Sequence, residues 1–294
     1  MALHSVGIFD ALIDDQTISK DSLSKYGNPV LLYSSLITLE KSGVVSFQNE
    51  GFLITELGKE IAQFIGLFTI FFDGYGDLIR QERAIALGAK PDLNSLLRGA
   101  QISRAATAIS KEMIDPPLIQ EIRDLGIRGT ICDLGCGYAS MLSAICQNTC
   151  NPGLGFDQET AVIAETKNRL EGTDITVEVG DIFNLAGVWE DVVMLVQCHV
   201  LHDVTPNEHC ASVLNSYLEN FPNLKCFFYI DTMAPSITKN EILPGFDYVH
   251  GLLNIPTRNY EETIEMFRTS AYRVMKEIPL EIPNTFIWIL APRE

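Results

Sequence analysis

Residues Thr130 to Cys146 read TICDLGCGYASMLSAIC. A short apolar run ends in an aspartate, two glycines stand one residue apart, and an apolar pattern at helical spacing follows. Strand, tight turn and helix in that order form the unit that presents a ligand at the carboxyl edge of a parallel sheet. It commits the surrounding chain to an α/β layer. From Arg128 onward the pattern agrees, with strands expected at Thr130–Leu134, Gly153–Phe156, Ile175–Val179, Val192–Cys198 and Cys226–Ile230. Helical stretches such as TAVIAETKNRLEG and EHCASVLNSYLEN fall between them. The end differs. YRVMKEIPLEIPNTFIWILAP offers two strands with a short connection, which forces antiparallel pairing because a parallel return needs a crossover. The expected fold class is therefore α/β, a doubly wound sheet closed by an antiparallel hairpin.

The turn is not that of a dinucleotide site. Such a site needs G-x-G-x-x-G, whereas here the turn is Gly135-Cys136-Gly137-Tyr138-Ala139-Ser140. Asp133 stands before it, where a carboxylate would repel a pyrophosphate and would suit a ligand carrying an amino group or a sulfonium. Asp157, in GFDQ after the next strand, is placed to accept both hydroxyls of a ribose. Asp181, in GDIF after the third strand, is an acceptor suited to the exocyclic amine of adenine.

The first hundred residues follow another pattern. VGIFDALID, SKDSLSKYG and NPVLLYSSLITLEKSG read as helices, and VVSFQNEGFLIT reads as two short strands around a turn at Asn49–Gly51. Helix, helix, helix and wing is the winged helix-turn-helix order. DNA binding does not follow. The chain carries a net charge of −17, and residues 1–100 hold 8 Lys and Arg against 12 Asp and Glu. A nucleic-acid groove needs several cationic contacts to displace counterions. A dimerisation or pocket-covering role fits better. The expected division is 1–100 for this part, 101–127 for a helical linker and 128–294 for the α/β part.

FIGLFTIFF, residues Phe64–Phe72, is too short to span a bilayer, and MALHSVGIFDALIDD lacks a signal-peptide pattern. Seven scattered cysteines, an odd number, fit a reducing compartment, and Cys132/Cys136 with Cys146/Cys150 do not make a zinc spacing. A cytoplasmic chain with no membrane or nucleic-acid partner is expected.

DLGCGYA, GFDQ and GDIF, in that order and with the terminal hairpin, resemble the motifs of class I S-adenosylmethionine-dependent methyltransferases. The resemblance covers about Arg128 to Glu294 and implies S-adenosylmethionine as cofactor. It implies cofactor contacts at Asp133, Gly135, Gly137, Asp157, Gln158, Asp181, Ile182 and Gln197. Ala139 stands in place of the family's third glycine and is expected to cost little, being nearly as small.

HVLHDVTPNEHCASVLNSYLENFP is similar to the stretch of small-molecule O-methyltransferases that carries a histidine base. That base maps onto His202, with Asp203 as its partner; Val204 replaces the family's tryptophan. GIFDALID, LEKSGVV, FLITELGKEI and FFDGYGDLI are similar to the winged-helix dimerisation domain of those enzymes, which implies a homodimer. FDYVHGLLNIPTRNYEE instead resembles bacterial α-keto-acid C-methyltransferases, including the 2-ketoarginine type; Glu261 and Glu262 are candidates for the buttressing carboxylates of the O-methyltransferases, although the pattern there is not the same.

The two resemblances imply different chemistry on a small-molecule acceptor. A phenol ionises easily, so one histidine base suffices. A C–H beside a ketone is a weaker acid, and its enolate calls for a divalent ion such as iron, zinc or nickel acting as a Lewis acid. His202, His250 and Asp231 would form a two-histidine, one-carboxylate set for that ion. Arg258 would pair with an acceptor carboxylate, and Phe246, Tyr248 and Trp288 would wall the pocket. Carbon methylation of an α-keto acid is the leading expectation, and metal-free O-methylation with His202 as base is the alternative. A ligand-responsive winged-helix regulator and a methyltransferase-like subunit without activity complete the set.

Overall fold

The computed structural model describes residues 2–204, 207–243 and 245–293, with the side chains of Asn94, Asp203, Asn207 and Glu208 outside that description. In the N-terminal part, helices Ile8–Ile13 and Pro29–Lys41 flank a short 3-10 turn at Asp21–Lys25. The Asn28 side chain caps Pro29–Lys41 by accepting from the Leu31 N–H, and proline occupies the first turn, where no N–H is needed. Strand β1 (Ile18–Ser19) and the hairpin β2 (Val45–Gln48) and β3 (Gly51–Ile54) form a three-stranded sheet in the order β1-β3-β2. Asn49 and Glu50, both with positive φ, make the turn of this wing.

The apolar segment around Phe64–Phe72 is not one regular helix. A helix at Ile65–Thr69 runs into a turn of π-helix at Ile70–Gly74, an irregularity that recurs at functional sites. Helices Gly99–Met113 and Asp115–Leu125 then lead into the large sheet.

That sheet contains β4 (Thr130–Leu134), β5 (Gly153–Asp157), β6 (Ile175–Val179), β7 (Val192–Cys198), β8 (Cys226–Thr232), β9 (Tyr272–Pro279) and β10 (Thr285–Pro292). Its order is β6-β5-β4-β7-β8-β10-β9. The first five strands pair in parallel, and β10 pairs antiparallel with both β8 and β9, as expected of the terminal hairpin. Both faces are covered, so the central strands are apolar throughout and sort by parity. On β10, Ile287 and Ile289 join one core cluster, while Phe286, Trp288 and Leu290 join the other. Trp288 is therefore core and not a pocket wall. The strand order reverses at β4, and the crevice outside the carboxyl ends at such a point is where open α/β sheets bind ligands. No helix among the described residues is long and apolar enough to cross a membrane.

Candidate active site

A cavity of about 550 Å³ opens over this edge. Read across the sheet, the strand ends bring Asp181 from beyond β6, Asp157 from β5, Asp133 from β4, His199 and His202 from beyond β7, and Asp231 from β8. All of these except Asp231 line the cavity, as do Gly135, Gly137, Gln158 and Ile182.

On the β6-β5-β4 side, the turn after β4 is drawn over β5 by the N–H groups of Gly135 and Cys136, which both donate to the Phe156 carbonyl. Gly135 has φ +89, and a Cβ there would meet Val200 at 2.6 Å, so the close approach requires glycine. The Gly137 N–H donates to Asp157 Oδ2 at 2.8 Å and the Glu159 N–H donates to Oδ1 at 3.0 Å, which hold the carboxylate at the cavity rim. Asp181 accepts from the Phe183 N–H in the same manner. Ala139 has φ 51 and ψ 31. The position requires left-handed backbone, so its cost is the ~1–2 kcal/mol of that conformation, not one of side-chain size. Asp133 is buried, and burial, together with the charges of Asp157 and Asp115, pushes its carboxyl up to about 7. Gln197 does not reach the cavity. It is buried on β7, with its amide donating to the Tyr217 hydroxyl, because its strand parity turns it into the core.

On the β7-β8 side, the Nδ1 of His202 lies 2.6 Å from Asp231 Oδ1. Asp231 is fully buried, and its carboxylate also accepts from the Tyr229 hydroxyl and the Thr232 N–H, with His199 Nδ1 at 3.4 Å. Burial alone would raise this carboxyl; the His202 imidazole and the His199 and His202 contacts hold it well below the usual range. His199 sits in left-handed backbone at φ 53, a strained conformation for a residue other than glycine. His199, His202 and Asp231 offer ligand atoms all within 4.8 Å of one another, a grouping able to hold a cation.

His250 is on the helix Phe246–Leu253, outside that trio, yet its ring lies 4.8 Å from that of His202 and it lines the cavity. Its Nδ1 is 2.7 Å from the Phe246 carbonyl, and the Phe246 ring also faces the cavity. The remaining sequence candidates go elsewhere. Arg258 is buried, donating to the Leu201 and Val204 carbonyls, because it serves to tie down the loop after β7. Tyr248 is half exposed on the far face of its helix and donates to Glu82. Glu261 accepts from Ser236 and Thr238, and Glu262 closes a capping box with Asn259, so neither buttresses His202. His209 is exposed on the Asn207–Asn220 helix. The side chain of Asp203 lies outside the described residues.

Nothing in the sequence pointed to Tyr229, which holds Asp231, and the pocket-covering role expected of the first hundred residues did not name Phe64, Leu67 and Phe71, which build the cavity wall with Ile102 and Met113. Their long separation from the motifs left no local signal. No Lys or Arg among the described residues lines the cavity, whereas Asp115, Asp133, Asp157, Asp181 and Glu281 do.

No family profile matches the chain. An indolepyruvate C-methyltransferase of Streptomyces griseus is 29% identical over 299 residues, covering 98% of this chain and 89% of that protein. Among solved structures, human N-acetylserotonin methyltransferase in complex with SAM matches at a TM-score of 0.74 with 14% identity, over 99% of this chain and 92% of that one. CalO1, a methyltransferase in calicheamicin biosynthesis with SAH bound, matches at 0.65 with 17% identity, over 99% and 92%. These structures share the fold, and the relative shares the length. The chain has the fold of the class I methyltransferases, and it is an S-adenosylmethionine-dependent methyltransferase acting on a small molecule.

Proposed function

We propose that the protein methylates the carbon next to the carbonyl of an α-keto acid, with His202 at the centre of the chemistry. The observation that carries this reading is the pairing of the His202–Asp231 contact with His250 in a cavity that no Lys or Arg among the described residues lines. The near-full-length likeness to an indolepyruvate C-methyltransferase supports the same acceptor class, and the aromatic and aliphatic wall suits an apolar side chain.

S-adenosylmethionine would supply the methyl group: with the proton beside the ketone lost to water, the enolate carbon would take the methyl from the sulfonium as its S–CH3 bond breaks, leaving neutral S-adenosylhomocysteine. Asp231 accepts from Nδ1 of His202, which fixes the tautomer and puts the lone pair on Nε2, the ligand atom toward an ion in this reading and the base in O-methylation. Tyr229 and the Thr232 N–H hold the carboxylate in place. Asp133, Gly137, Asp157, Gln158, Asp181 and Ile182, which line the cavity, would hold the cofactor.

An acceptor carboxylate entering this acidic cavity needs a cation. Histidines that ligate metals usually donate their other ring nitrogen to a carboxylate or a backbone carbonyl, and His202 and His250 show one of each, to Asp231 and to Phe246. The pair fits a divalent ion of the iron, zinc or nickel kind; Asp231 and His199, grouped with His202, are the further candidate ligands. Such an ion supplies Lewis-acid stabilisation of the enolate.

The test is turnover of indolepyruvate and phenylpyruvate with S-adenosylmethionine, with metal content measured on untagged wild type, His202→Ala and His250→Ala. Near-stoichiometric metal lost in both variants, with β-methylated product from wild type alone, is the expected result. Metal-free protein that methylates a phenol would replace this reading with O-methylation by the His202–Asp231 pair, which suffices for an acidic hydroxyl.

The division of the chain near residues 100 and 127, a homodimer formed through the first part, and a cytoplasmic location belong to the same proposal. Phe64, Phe68 and Phe72 stand 43%, 44% and 62% exposed at helical spacing, which supports a partner surface there.

A further inference from the structure

Asp115 has no part in the chemistry above. It begins the helix Asp115–Leu125, 6% exposed, and Ser110 Oγ donates to its Oδ1 at 2.5 Å. It lines the same cavity as Asp133, which is 4% exposed at the end of β4. Among the described residues no hydrogen bond or ion pair reaches the Asp133 carboxylate. A buried carboxylate without a partner is costly, and a second one in the same wall adds repulsion. The cavity offers neither a Lys nor an Arg among the described residues to offset them. The compensating charge has to arrive with a ligand.

S-adenosylmethionine carries a compact cation with three N–H donors on its methionyl end. Asp157 and Asp181, at the ends of β5 and β6, mark the side where the nucleoside would lie. The methionyl end then extends past β4, toward Asp133 and the junction of the Gly99–Met113 and Asp115–Leu125 helices. We propose that Asp115, oriented by Ser110, joins Asp133 as a paired-carboxylate seat for the α-ammonium group of the cofactor. The seat fixes the methionyl end and hence the position of the methyl group it carries. It rests on the reading of this cavity as the cofactor site.

Calorimetry with two ligands separates the two ideas: S-adenosylhomocysteine, and 5′-methylthioadenosine, which has the nucleoside and thioether but no amine. Asp115→Asn should weaken S-adenosylhomocysteine about tenfold or more, as expected for a lost charge-assisted hydrogen bond, and leave 5′-methylthioadenosine within about twofold. Ser110→Ala should move the first ligand in the same direction by less, which keeps the test alive if Asp115→Asn fails to fold. Unchanged affinity for S-adenosylhomocysteine in both variants would overturn the seat, and so would equal losses for the two ligands, which would mark a structural role. A wild-type protein that binds neither ligand would instead remove the cofactor site on which the seat depends.

Discussion

Asp133 is a buried carboxyl that costs the fold, and the proposed site gives that cost a use. Its folded pKa, near 7, lies above its unfolded value, so its contribution to stability is fully present below about 3.9 and is lost as pH rises through about 7. Cofactor-free protein should therefore gain several degrees in Tm at pH 8 on Asp133→Asn. The same variant should bind S-adenosylmethionine more weakly, because a neutral amide cannot pair with an ammonium. In wild type, the affinity should fall as pH is lowered through about 7, where the carboxylate of the free protein takes up a proton. Calorimetry against a Tm series over pH 6 to 8 checks both signs; a flat affinity would detach Asp133 from the cofactor. Tyr229 makes the companion case on the acceptor side. Tyr229→Phe removes the bond to Asp231 Oδ2 and leaves a buried acceptor short of one donor, at a cost of about 1–3 kcal/mol. Turnover should drop about tenfold with the affinity for S-adenosylhomocysteine unchanged, a split that steady-state kinetics and calorimetry together would reveal.

The helix Phe246–Leu253 is the element that brings His250 and Phe246 to the cavity. It is steered from outside the α/β layer. Tyr248 donates to Glu82, and the helix N-cap Gly245, at φ +85, lies so close to the Phe71 ring that a Cβ would sit 2.2 Å from its Cζ. The π-turn that carries Phe71 thus packs directly against the start of the histidine helix. Gly245→Ala combines left-handed strain with an overpacked ring, and should cost about 2–4 kcal/mol of stability. Its KM for the acceptor should rise more than that for S-adenosylmethionine. Denaturant unfolding and the two KM values decide it; equal effects on both substrates would mean that the helix does not serve the acceptor side alone.

At the scale of the molecule, the cavity is roofed by the first third of the chain and floored by the sheet. Phe64, Leu67 and Phe71 face it, while Phe64, Phe68 and Phe72 also reach solvent. One apolar segment therefore serves a pocket and an open surface together. Phe68→Asp with Phe72→Asp should convert a dimer into monomers, read by light scattering, and should lower turnover if the partner helps to close the pocket. A wild-type monomer in solution would withdraw the partner surface.

Local chemistry made much of this legible in the sequence. The glycine turn, the strand-end carboxylates and the missing crossover before the last strand each have meaning within a few residues. They foretold the sheet and its antiparallel end, and they named the strand-end carboxylates that line the cavity. His202 was legible for the same reason, as a histidine in the loop after a central strand. What only the tertiary structure decided were pairings across long separations. Asp231 stands behind His202 because β8 lies beside β7, and Asp115, from the start of a helix, lines the same cavity as Asp133 at the end of β4. Gln197, Arg258 and Tyr248 have the chemistry of site residues but point away from the cavity, into core, loop and surface. Residue type states what a side chain can do; strand parity and packing decide where it does it.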